Sequence, residues 1–156
     1  MVLLNKHVVH AKRPLGPYSD AVRVGDLIFV AGQLALDEQG KPINADIRTQ
    51  TRHVLENIKR IVEMAGSSIE KIVKTTVYLA TLDDYPSMNE VYREFFTRDF
   101  PARATVQVAR LIGNLSVEIE AVATVCTCDM TTSGHEKAMS NQMSPRASLS
   151  GYSGYI

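Results

Sequence analysis

Val117-Glu118-Ile119-Glu120-Ala121-Val122-Ala123-Thr124-Val125 is the stretch that decides the fold class. Val117, Ile119, Ala121, Ala123 and Val125 recur at every second position, the period of a β-strand with one buried face. Glu118 and Glu120 then leave the sheet together on the other face. Upstream, Ala104 to Leu111 alternates through Ala104, Val106 and Val108, and Gly113-Asn114 supplies the turn between the two strands.

Working back from these strands, Asp83 or Asp84 can cap a helix that carries Met88, Val91, Tyr92, Phe95 and Phe96 on one face and has ended by Pro101. Ile72 to Ala80 is rich in Val and Thr and reads as a strand. Ser67-Ser68-Ile69-Glu70 before it has capping-box spacing. Asp46 precedes Ile47, Thr51, Val54, Leu55, Ile58, Ile61, Val62 and Ala65 at helical spacing, and Gly66 closes that helix. Within Ala21 to Leu36, Val22, Val24 and the run Leu27-Ile28-Phe29-Val30-Ala31 flank Gly25-Asp26 as a β-hairpin.

The order ββ, α, β, α, ββ predicts an α+β fold, a mixed β-sheet covered on one face by two α-helices. The strands are more apolar on both faces than a half-solvated sheet tolerates, so the sequence predicts an oligomer packed through its sheets. At 156 residues one domain is expected, over 1–128. Residues 129–156 are polar and Ser-rich without periodicity, the composition of a mobile tail.

Composition removes several function classes. Lys+Arg and Asp+Glu are both 17, with no block of like charge, so nothing draws the chain to nucleic acid or to a membrane surface. Apolar runs such as Leu27 to Ala31 fall far below the roughly 20 residues of a membrane span, and Met-Val-Leu-Leu-Asn-Lys-His does not read as a secretion signal. The expected compartment is the cytoplasm. Cys126 and Cys128 are too close along a strand for an ordinary disulfide. His7 and His10 have no acidic or cysteine ligand nearby, and no metal site is expected. Nucleophile-elbow and phosphate-cradling motifs are absent, so no nucleotide-dependent reaction is expected.

Among residues that can carry chemistry, Arg103 in Pro101-Ala-Arg103-Ala-Thr105 is a lone cation beside an apolar strand. A guanidinium there can clamp a carboxylate bidentately, pair with an acid such as Glu120, or extend to solvent. Glu118 and Glu120 are either a solvated face or a pair of which one orients or deprotonates a water. Gly16-Pro17-Tyr18-Ser19 is a rigid turn presenting a phenol. Asn89 on the second helix reads, by itself, as surface.

Together, Gly16-Pro17-Tyr18-Ser19, Ala31-Gly32-Gln33, Ile72-Val-Lys-Thr-Thr-Val77, Pro101-Ala-Arg103 and Val117-Glu-Ile-Glu-Ala121 resemble the reactive intermediate deaminase family, RidA type, across residues 13 to 126. The resemblance implies a trimeric chorismate-mutase-like fold with cofactor-free pockets between subunits. It implies that Arg103 holds a substrate carboxylate, that Glu118 positions the water attacking an imine carbon, and that Tyr18, Ala31, Gly32, Asn89 and Thr105 line the pocket. Ala31 stands where the family usually has Ser, and Thr105 where it usually has Cys. The implied activity is hydrolysis of 2-iminobutanoate and 2-iminopropanoate, the latter from 2-aminoacrylate, to 2-oxo acids and ammonia. Alternatives are a dedicated deaminase of the 2-aminomuconate or 3-aminoacrylate type, or a non-catalytic trimer that binds small carboxylates.

Overall fold

In a computed structural model, residues 5–11 and 16–126 are described, so Cys128 and the expected tail over 129–156 lie outside the described residues. Eight principal elements follow in order: β1 (Lys6–Val9), β2 (Ala21–Val24), β3 (Leu27–Leu34), α1 (Ile47–Met64), β4 (Ile72–Leu79), α2 (Tyr85–Phe95), β5 (Ala102–Gln107) and β6 (Val117–Thr124). The strands form one six-stranded sheet in the order β1-β2-β3-β6-β4-β5. Only β4 and β5 among the paired strands run parallel, because α2 carries the chain back across the sheet between them. The α+β architecture expected from the sequence is therefore the observed one.

Both helices cover one face. Val54, Leu55, Ile58, Ile61 and Val62 of α1 are buried, as are Met88, Val91 and Tyr92 of α2. They meet Ile28 and Val30 of β3, Val77 and Leu79 of β4, and the alternating set Val117, Ile119, Ala121 and Ala123 of β6. Side-chain period and strand register together place this core between helices and sheet. Asp46 caps α1 by accepting from the amides of Arg48 and Thr49.

Several local expectations are corrected. The Ser67–Glu70 stretch forms no capping box: Ser68 precedes a short 3₁₀ turn without a side-chain cap, and Ser67 Oγ donates to the Thr124 carbonyl at 2.5 Å. Asp84 stands at the start of α2 without a side-chain cap bond. β5 starts at Ala102 and stops at Gln107 rather than running to Leu111, since its pairing with β4 runs out at Leu79↔Gln107. The edge strand β1, paired with β2, adds a strand to the predicted order.

The face away from the helices is mixed rather than uniformly apolar. Leu27, Phe29 and Val106 are exposed there, among Lys74, Thr76, Tyr78, Glu118 and Glu120. Among the described residues no helix is long and apolar enough to cross a membrane.

Candidate active site

The geometry around Arg103 begins with register. Arg103 lies opposite Thr75 in the parallel β4–β5 pair, and Thr75 is fully buried on the helix face. Arg103 therefore turns toward α2. Its Nη2 donates to the Tyr85 hydroxyl at 3.1 Å, and its guanidinium carbon lies 4.6 Å from the centre of the Tyr92 ring and 5.6 Å from that of Tyr85. Tyr92 is itself fixed by a 2.8 Å hydrogen bond between its hydroxyl and Thr75 Oγ1 and by Phe96, whose ring centre is 4.5 Å away.

This arrangement removes one of the readings open for Arg103, a pairing with Glu120. Among the described residues it makes no ion pair. Glu120 accepts instead from the Tyr78 hydroxyl at 3.2 Å, on the opposite face. Around Arg103 opens a cavity of about 420 Å³ lined by Tyr85, Asn89, Tyr92, Arg93, Phe100 and Pro101. Among the described residues no carboxylate lines it. Asn89, read alone as surface, lines the same cavity as the Tyr85 phenol and does more than the nearby Arg103 charge to hold that phenol below its ordinary pKa. Thr105 follows Arg103 on the same face of β5, and its hydroxyl oxygen is buried without a hydrogen-bond partner.

The second half of the predicted site is elsewhere on the chain. Glu118 lies opposite Tyr78 on the sheet face away from the helices. Burial raises its carboxyl above the usual carboxylate range, and the Glu120 charge adds to the effect. The carboxyl rests over Gly32, where a Cβ would collide with Oε1 and lie 2.9 Å from Cδ. Gly32 lies within the register shift of the β3–β6 pairing between Val30 and Gln33, next to Ala31. Tyr18 is 48% exposed. One chain thus brings together Arg103, Asn89 and Thr105 on one face, and Glu118 with Gly32 on the other.

Tyr85 and Tyr92 escaped sequence reasoning as site residues. Tyr92 has the spacing of a core residue, which it also is; the signal for Tyr85 is faint, a phenol at the start of an amphipathic helix.

Comparison with known proteins bears on this geometry. Residues 9–125 match the model of the endoribonuclease L-PSP family. The chain belongs to that family. Within it, the chain is 51% identical over 114 residues to a RutC family protein of Pyrococcus abyssi, covering 72% of this chain and 90% of that one. It is 41% identical over 117 residues to the 2-iminobutanoate/2-iminopropanoate deaminase of Escherichia coli, covering 73% and 91%. Among solved structures, TdcF of E. coli with bound serine superposes with a TM-score of 0.69 at 41% identity, covering 74% and 93%. The RidA-type resemblance read from the sequence is thereby shown.

Proposed function

We propose that this chain is a cytosolic enzyme that hydrolyses 2-imino acids such as 2-iminobutanoate and 2-iminopropanoate to 2-oxo acids and ammonia. The observation that carries the reading is the Arg103 guanidinium, oriented by Tyr85 and Tyr92 in a cavity lined by no carboxylate among the described residues. One edge of the guanidinium is engaged by the phenol, and the rest is suited to a substrate carboxylate. The names of deaminase relatives at 36–41% identity, and the serine bound by TdcF, itself a carboxylate, support the same assignment.

In the proposed reaction a water oxygen adds to the imine carbon and a proton passes to nitrogen, giving a carbinolamine. The C–N bond then breaks, ammonia departs, and the carbon becomes the carbonyl of the 2-oxo acid. Glu118 is suited to the proton transfers because its raised pKa lies nearer neutrality than that of a free carboxylate. The imine carbon is already electrophilic, so orienting substrate and water does most of what is required.

Because Arg103 and Glu118 leave opposite faces, a complete site takes two copies. We assign it to the interfaces of a homotrimer, where the Glu118–Gly32 face of one copy meets the Arg103 edge of the next. Phe29 and Leu27, 46% and 42% exposed beside this face, favour such packing.

The test generates 2-iminobutanoate from threonine with a dehydratase and follows its loss. Wild type is expected to accelerate the loss. Arg103→Ala forfeits charged hydrogen bonds of roughly 1.5–3 kcal/mol, or about 10- to 150-fold in kcat/KM. Loss at the uncatalysed rate with wild type would overturn the assignment.

A further inference from the structure

The cavity around Arg103 holds a second cation. Arg93, on α2, lines it too, and among the described residues neither guanidinium has an acidic partner. The acids nearest to Arg93 on its own helix are committed elsewhere. Glu90 and Glu94 turn to Arg48 and Arg52 of α1, at 2.6 and 2.8 Å. The charge of Arg93 nevertheless reaches the site, since it contributes, as the least of the named causes, to holding the Tyr85 phenol below its ordinary range. A monocarboxylate on Arg103 would leave this second positive charge without a counterpart among the residues of the same copy that line the cavity. The remaining lining combines polar Tyr85 and Asn89 with apolar Phe100 and Pro101, which suits a short carbon chain between two anionic ends.

We infer that Arg93 is a specificity-determining contact for a second carboxylate, so that the cavity selects imines of dicarboxylic 2-oxo acids over those of monocarboxylic ones. The inference rests on the imine-hydrolase reading for its reaction, though not for its binding selectivity. The chemistry balances as before: 2-iminoglutarate and water give 2-oxoglutarate and ammonia.

The experiment compares kcat/KM for 2-iminoglutarate and 2-iminobutanoate, each formed in situ by an amino-acid oxidase. Wild type, Arg93→Gln and Arg60→Gln are assayed side by side. Arg60 on α1 donates to Asn57 and lies outside this cavity, so its variant makes the same change in net charge elsewhere. Wild type and Arg60→Gln are expected to favour the dicarboxylate, and Arg93→Gln to lose roughly fivefold of that preference, the ceiling for a solvent-exposed ion pair. Calorimetric affinities for 2-oxoglutarate and 2-oxobutanoate are measured on the same proteins. If neither imine is hydrolysed, the deaminase reading fails while the affinity ratio still decides this one. No dicarboxylate preference in wild type, or the same ratio in Arg93→Gln, overturns it. An unchanged ratio with a weakened oligomer would assign Arg93 to a carboxylate of a neighbouring copy instead, and would overturn it equally.

Discussion

Replacing Gly32 by Ala separates the function of the Glu118 carboxylate from the stability of the fold. An alanine Cβ would collide with Glu118 Oε1, lie 2.9 Å from Cδ and 3.2 Å from Cγ, so the carboxyl group has to swing away. The obstruction is the far end of a flexible side chain, which limits the structural cost to an off-rotamer adjustment of about 0.5–1.5 kcal/mol. That corresponds to a fall in Tm of roughly 2–6 °C. The catalytic cost is larger, because displacing a proton-transfer group by about 1 Å lowers the rate on the order of 100-fold. The assay pairs thermal melting with the rate of 2-iminobutanoate loss. A folded Gly32→Ala protein with nearly full activity would refute the reasoning, since the carboxylate would then act from another position or not at all.

Three further outcomes are expected. Tyr85→Phe keeps the ring near Arg103 but removes the hydroxyl that accepts from Nη2, so KM should rise about three- to tenfold with kcat largely retained, as steady-state kinetics will read. Thr75→Val leaves the buried Tyr92 hydroxyl without its partner and should lower unfolding stability by about 1–3 kcal/mol in urea titrations. Glu118→Gln should stabilise the fold at neutral pH and not below about pH 4. The Glu118 carboxyl titrates above its ordinary 4.5, so the folded protein holds that proton more tightly than the unfolded chain, and wild-type stability falls as pH rises through the folded pKa. Urea midpoints of both proteins from pH 4 to 8 check the sign: a difference that does not grow with pH contradicts it.

The sequence exposed what depends on local pattern. Val54, Leu55, Ile58, Ile61 and Val62 mark the buried side of α1 through helical spacing alone, and Asp46 announces its start. The alternation of β6 likewise identified the buried residues and the shared face of Glu118 and Glu120. What depends on pairing was hidden. The end of β5 is set by the length of β4 rather than by the continued alternation through Val108. β1 has only four residues at a sheet edge, too few to establish a period. The direction of Arg103 follows from its parallel register with Thr75, a tertiary fact without a local signature. Tyr85 and Arg93 join the site for the same reason, since only the packing of α2 against β5 brings them to Arg103.

The account's central claim, a site shared between copies, is tested most directly by mixing two impaired proteins. Arg103→Ala and Glu118→Gln subunits, unfolded and refolded together in equal amounts, would form trimers of which about three quarters are mixed. Each mixed trimer would hold one interface that joins an intact Arg103 to an intact Glu118, so about a quarter of all sites are restored. The account predicts recovery of about a quarter of wild-type imine hydrolysis from the refolded mixture and no more than about a tenth from either variant refolded alone. A mixture no more active than its separate components would contradict it.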